Sequence, residues 1–310
     1  EMFVCTDATT NENVWYNVGG GDGDIEPWIF QGTVSGYASG AYPPVSNVID
    51  KFSFTSDANA TDVGNLTTTR GASAGQTSAT HGYNSGGNDG STQTTVIDRF
   101  SFTVDGNATD VGDIAVASEY PAGQSSETHG YISGGSTSGG NVNTIEKFAF
   151  GSSGNATDIA DMTITRHGAG GQSSSTHGYN TGGTSGGDKN EIDKFTFASD
   201  ANATDVGDIT VARYHSTGQS STTHGYTSGG STTNVIDKFS FTTDANATDV
   251  GDLVANKREM SGQSSTSHGY NSGGRGVVDV IQKFPFASDT NSSDIANLTV
   301  ARQFASGTQY

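Results

Sequence analysis

GQSSTTHGYTSGG (residues 218–230) and NVIDKFSFTTDANATDVGDL (residues 234–253) together form a unit that recurs down the whole chain. His-Gly-Tyr marks five copies, at His81, His129, His177, His224 and His268, and Ser35-Gly36-Tyr37 marks a degenerate sixth. The markers are 46, 48, 48, 47 and 44 residues apart. A repeat of this length is one supersecondary unit that buries its apolar face only against its neighbours. It is therefore read before any local structure.

Each unit offers four strand-sized pieces: GQSS, then His-Gly-Tyr-x-Ser-Gly-Gly, then Val-Ile-Asp-Lys-Phe-Ser-Phe, then Thr-Asp-Val-Gly-Asp-Leu. Gly and Ser interrupt every window long enough for a helical period, so the reading is all β. Six antiparallel four-stranded units at this spacing fit a six-bladed β-propeller, whose blades pack face to face around an axis. Both faces of an inner strand are then covered, which explains why Ile49 and Phe52, on opposite faces, are both apolar. Residues 303–310 supply only a first strand, and the first unit starts at a second strand near residues 28–40, so the two ends complete one blade. Residues 28–35 are apolar enough to be a strand entering that unit. Ahead of it, residues 1–24 read as a hairpin-like connector with strands at residues 2–5 and 14–18, and residues 25–310 read as the propeller.

Composition alone points elsewhere, since hydrophobic residues make up 31% and Gly numbers 44. The repeat overrules that indication, because twelve of the fifteen Phe fall in one recurring Phe-x-Phe pair, a regularity that a disordered tract has no reason to keep. A net charge of -19 repels phosphate backbones and anionic lipid, which argues against nucleic acid as a partner. No apolar run approaches the ~18 residues of a membrane span, so no membrane insertion is expected. The single cysteine, Cys5, lies outside the repeats and excludes a disulfide framework. The first residue is Glu1, and the expectation is a piece of a longer protein.

Aligned from its basic residue, the unit resembles a kelch repeat: Arg213, a small-residue strand, Tyr226 three places before Gly229-Gly230, then Ile236-Asp237-Lys238-Phe239, then Leu253. The double glycine recurs at Gly86-Gly87, Gly134-Gly135, Gly182-Gly183 and Gly273-Gly274, and Thr-Asp-Val-Gly stands where kelch repeats carry an outer-strand Trp. The resemblance covers residues 25–310 and implies a ring closed by N- and C-terminal strands in one blade. The whole pattern, with VWYNVGGGDGDIEPW at residues 14–28, is also similar to repeat proteins of marine bacteriophages that serve as tail fibres or other virion appendages. That resemblance implies an extracellular virion protein with other virion proteins as partners, and a homotrimer among the expected assemblies.

In an up-and-down blade, the second-to-third and fourth-to-first connections share one face, and the copies differ most there. This face carries the candidate ligand-binding residues Glu119, Tyr120, His167, Tyr214, His215, Arg258, Glu259, Met260 and Phe304, of the aromatic and charged types that mark binding surfaces. Drift in solvated loops is the bland alternative. The ring of histidines invites a metal, but sixfold repetition at strand-two radius holds the rings too far apart, and the expectation is a hydrogen bond from each imidazole to a neighbouring blade. Asp-x-Asn-x-x-Asp, at Asp57, Asn59 and Asp62, at Asp200, Asn202 and Asp205, and at Asp244, Asn246 and Asp249, is too short for an EF-hand loop. Its oxygens are expected to bond their own turn. Asn-Ala-Thr, at Asn59, Asn107, Asn155, Asn202 and Asn246, with Asn291-Ser-Ser, is a formal glycosylation sequon better explained by duplication of the repeat.

No His-Glu-x-x-His or phosphate loop occurs, so neither a catalytic residue nor a cofactor or metal is expected. Carboxylates meeting across loops, such as Glu119 with Asp188 or Glu259, would mark the alternative of a polysaccharide-degrading enzyme. The expected function is noncatalytic recognition of a cell-surface glycan or protein through the variable face. A purely architectural coat or fibre protein is the remaining alternative.

Overall fold

The computed structural model describes residues 3–7, 14–17, 28–255 and 257–310. Six antiparallel four-stranded sheets, five with strands in chain order and one led by the last strand of the chain, form the blades of a β-propeller. The innermost strands define blades one to six: Ser306–Gln309, Ala74–Thr77, Ala122–Ser125, Gly170–Ser173, Thr217–Ser220 and Ser261–Ser264. Each lies against those of both neighbours, so the ring closes. In blade one, Ser306–Gln309 pairs with Ser35–Ala41, in a register running from Ser306 opposite Ser39 to Gln309 opposite Gly36. Hydrogen bonds between the first and last described parts of the propeller therefore hold the ring shut.

Residues 28–34 form no strand, contrary to the expectation from their apolar character. They run to the axis on the face opposite the variable loops, where Gly32 donates to the Ser264 carbonyl at 2.9 Å, the Gln31 amide to Ser220 O at 2.9 Å, and the Gln309 amide to Phe30 O at 2.9 Å. Trp28 and Phe30 meet edge to face, which uses their apolar surface without a sheet. In the connector, Phe3–Asp7 pairs with Val14–Asn17; the boundary expected at residues 24–25 lies outside the described residues. An unforeseen ribbon, Ser136–Thr137 with Gly140–Asn141, rises from the variable face of blade three.

The core is six wedges, one per interface. Tyr37, Ile49 and Leu66 of blade one pack against Phe100, Phe102 and Ala108 of blade two, and equivalent groups fill the other five. Ile49 faces blade two and Phe52 faces blade six, as period-two alternation requires. The tyrosine of each blade stacks on the second Phe of the next blade's Phe-x-Phe at 4.7–5.0 Å between centroids. Such a pair adds about 0.5–1.5 kcal/mol beyond its buried area.

Buried ion pairs cross four wedges: Arg70–Asp98 at 2.9 Å, Arg166–Asp193 at 2.6 Å, Arg213–Asp237 at 3.0 Å and Arg302–Asp50 at 2.6 Å, all with side chains at most 1% exposed. Asp98 also accepts from the Thr67 amide and hydroxyl, and Arg70 donates to Asn84 O, so the charge of Asp98 is matched, while Nε of Arg70, Arg166 and Arg213 has no hydrogen-bond partner. The other two wedges depart from this. Ser118 replaces the arginine opposite Glu146, and Gln282 replaces the aspartate opposite Lys257. Glu146 accepts from the Ala115 and Val116 amides instead, and its burial raises its carboxyl pKa.

The asparagine-rich turns join blades, which corrects the expectation that they bond only themselves. Asn59, Asn107, Asn155, Asn202, Asn246 and Asn291 each accept, through Oδ1, a backbone amide of the preceding blade at 3.0–3.1 Å. The next residue's amide donates back to the carbonyl of that same partner at 2.7–2.8 Å. The first Asp of the motif pairs with a lysine of the preceding blade, as in Asp57 with Lys283 and Asp244 with Lys194, while the second caps its own strand, as Asp62 does for the Gly64 amide.

At the axis, a Cβ on Gly75, Gly123, Gly171, Gly218, Gly262 or Gly307 would sit 2.0–2.5 Å from the preceding blade's glycine carbonyl oxygen. Gly218→Ala is therefore expected to destabilise the protein by about 3 kcal/mol. Gly154→Ala, with open space around it, should change stability by less than about 1 kcal/mol in the same denaturant titration. Arg213→Met, which strands Asp237 in the core, should cost about 3–5 kcal/mol. Equal midpoints for Gly218→Ala and Gly154→Ala would refute the axial constraint.

Candidate binding face

Each fourth-to-first connection places one residue in the left-handed region at the mouth of the axis: Ala72, Tyr120, Gly168, His215, Glu259 and Phe304, with φ of 52–67°. The amide of each donates to the carbonyl of its counterpart in the preceding blade at 2.6–3.0 Å, which makes a closed ring of six hydrogen bonds. For L-residues this conformation costs on the order of 1–2 kcal/mol, and glycine adopts it freely. Gly168 alone among the six is glycine. Bulky side chains therefore stand where the backbone would be served more cheaply without them.

Those side chains meet on the axis. Tyr120, His215 and Phe304, from blades three, five and one, lie with ring centroids 4.8 Å apart in each pairing. Ala72, Gly168 and Glu259 alternate with them, and a Cβ on Gly168 would fall 2.4 Å from His215 Cδ2. Tyr214 lies 4.5 Å from His215, and His167 lies 5.8 Å from Tyr120. Between this cluster and the glycines lies an axial pocket of about 130 Å³ lined by glycine backbone and small side chains together with Tyr120, His215, Glu259, Met260 and Phe304.

Charge is concentrated on one side. The buried Glu259 carboxylate takes Arg258 Nε at 2.9 Å and Arg275 Nη1 at 3.4 Å, with His215 Nδ1 at 3.8 Å. Arg258 also lies over the Tyr214 ring at 5.2 Å and donates to its hydroxyl at 2.9 Å. Eight of the nine candidate residues from the sequence thus surround the mouth. Met260 also lines the axial pocket, but its side chain packs into a core wedge with Tyr226, Leu253 and Phe284. Glu119 stands at the edge, accepting from the Asn88 and Gln93 amides, and His167 Nδ1 is 2.9 Å from Asn141 Oδ1 of the unforeseen ribbon. Sequence reading missed Arg275, which only the fold brings to Glu259, and Ala72, whose side chain gives no sign of its position in the ring.

The strand-two histidines do not reach neighbouring blades. Each Nδ1 lies 2.8 Å from the hydroxyl of the residue before it, Thr80, Thr128, Thr176, Thr223 or Ser267. The hydroxyl is one residue away and needs no alignment between blades, so the local bond wins. No group of three or more His, Cys, Asp or Glu converges among the described residues. On the same face, Trp28, Phe30 and Gln31 border a second pocket of about 270 Å³ with Ser173, Ser174 and Ser221.

The chain is a six-bladed β-propeller with an aromatic, charge-flanked mouth on its variable face. No model of a known protein family matches it, and no curated protein matches it.

Burial is the first cause of a lowered pKa at all seven histidines, and takes His167, beside His215, to about 4. The fold prefers the neutral imidazoles, so the unfolded chain binds protons first. Stability is complete above about pH 6.5 and declines as pH falls towards the folded values. The melting temperature should be lower at about pH 5.5 than at about pH 7.5, and His167→Gln, worth up to about 1 kcal/mol after solvent screening, should flatten the difference. A melting temperature that holds or rises on acidification would contradict this.

Proposed function

We propose that the protein is a noncatalytic recognition module that binds a cell-surface glycan or protein through its variable face. The observation that carries this reading is the set of bulky side chains held in the left-handed conformation at the mouth. Tyr120, His215 and Phe304 accept a backbone cost that glycine avoids, and such outliers cluster at binding sites. Aromatic and arginine side chains around a half-buried mouth are the usual makings of an interaction centre. The carboxylates of this face have separate partners, Glu119 with Asn88, Asp188 with Ser231 and Glu259 with Arg258, which favours binding over hydrolysis by an acid pair.

Kelch-like spacing of Arg213, Tyr226 and Gly229-Gly230, and the similarity of residues 14–28 to phage repeat proteins, support a virion appendage or tail fibre as the setting. Residues 28–34 and Tyr310 lie on the face away from the variable loops, an arrangement that suits presentation of those loops outward. Several copies on one particle would bind tightly through individually weak contacts.

A glycan and host-envelope binding screen, with product analysis of the same samples, tests the reading. Saturable binding to intact glycan or envelope protein is expected, and Tyr120→Ala, Tyr214→Ala and Phe304→Ala combined should weaken it at least about tenfold. Shortened glycan would indicate an enzyme, and binding undiminished in the triple variant would remove the variable face from the account.

A further inference from the structure

We propose that the sector of the variable face formed by Tyr214, Lys257, Arg258 and Arg275 is an anion-binding subsite for the carboxylate of an acidic polysaccharide. The proposal rests on the reading of this face as a recognition surface and names the chemistry of its ligand.

The distribution of positive charge carries it. The chain has 14 Lys and Arg against 33 Asp and Glu. Nine of the bases are committed to pairs between blades: Arg70, Arg166, Arg213 and Arg302 in the wedges, and Lys51, Lys147, Lys194, Lys238 and Lys283 at the asparagine turns. A tenth, Arg99, occupies the lysine position in blade two. The remaining four, Lys189, Lys257, Arg258 and Arg275, are all on the variable face, and three of them share one sector beside the mouth. Lys257 also fills the wedge arginine position and Arg258 offsets the buried Glu259, but the exposed Arg275 is more than that one carboxylate requires.

Their geometry is that of a prepared site. One buried carboxylate, Glu259, fixes two guanidiniums, and Tyr214 orients the Arg258 group from below through its ring and hydroxyl. Lys257 Nζ donates to Arg275 O at 3.3 Å and ties the two loops together. Glu259 neutralises one of the three positive charges, and Asp188, which accepts from Ser231 beside Tyr214, borders the sector. Arg275 is 58% exposed, so its remaining donors face solvent. Guanidiniums bind carboxylates through parallel, charge-assisted hydrogen bonds, and prior fixation reduces the ordering cost of binding. An acidic sugar presents its carboxylate next to an apolar C–H face, which matches a guanidinium beside the ring of Tyr214, itself 4.5 Å from His215.

The test titrates the purified chain with polygalacturonate, dextran sulfate, neutral dextran and polyglutamate at physiological salt, alongside Arg258→Gln, Arg275→Gln and Arg99→Gln. Polygalacturonate should bind best, at least about tenfold more weakly in either sector variant and unchanged in Arg99→Gln, which removes the same charge from the other face. Arg275 is exposed enough that its variant leaves the fold intact, as circular dichroism would verify. Preference for dextran sulfate overturns the carboxylate assignment, and preference for polyglutamate overturns the glycan. Equal binding of dextran, insensitive to the variants, removes the subsite and leaves the recognition reading standing. Silence with every polymer overturns the subsite, and silence in the glycan and envelope screen as well would remove the recognition reading.

Discussion

Six α-carbons at the axis have no room for a β-carbon. Each belongs to the glycine of an innermost strand, and each faces the carbonyl of the glycine in the preceding blade. This contact sets how close the inner strands come, and the blades must fan outward from it. Widening towards the rim creates the six wedges, which the Tyr and Phe-x-Phe groups fill. Larger residues at the axis would force the ring open, and every later layer would lose its partner.

Outward from the glycines, each interface uses a different kind of bond at each radius. Backbone hydrogen bonds ring the mouth, stacked aromatics fill the wedge, an arginine and aspartate cross it in four places, and asparagine clamps close the rim. This explains how a chain with 31% hydrophobic residues folds. Much of its interior is polar and hydrogen-bonded, so burial is achieved without the apolar mass of an ordinary core.

The architecture was legible in the sequence because the repeat states its packing six times. His-Gly-Tyr, Phe-x-Phe and the double glycine mark strand position and face, and alternation placed Ile49 and Phe52 correctly. What escaped was whatever depends on the partner blade. Asn59 looks like a turn residue in its own unit, and its bond to the Asn297 amide, 238 positions away, exists only after closure. Arg213 and Asp237 are visible as recurring residues, yet nothing in their spacing says that they pair in the core. Residues 28–35 misled because apolar side chains serve equally to cover an axis. The variable loops were recognisable by their differences, and most of the residues singled out from them do gather at the mouth. Arg275 was invisible among them because it reaches Glu259 from a different connection.

The mouth itself breaks the pattern that governs every other layer. At the axial glycines and the rim asparagines, and in the wedges apart from Ser118, six positions carry the same residue type or a near substitute, since all face the same neighbour. At the left-handed position they are Ala, Tyr, Gly, His, Glu and Phe, although the backbone there is the same in all six and favours glycine. Packing explains part of this, because three rings meet at the axis with Ala72, Gly168 and the side-turned, arginine-paired Glu259 between them. It does not explain the gathering of arginines on one side, where a symmetric ring would have served closure equally well. A symmetric scaffold with one asymmetric end is suited to present distinct chemistry at a fixed place, and the side chains at that end are released from the rule that the other layers obey.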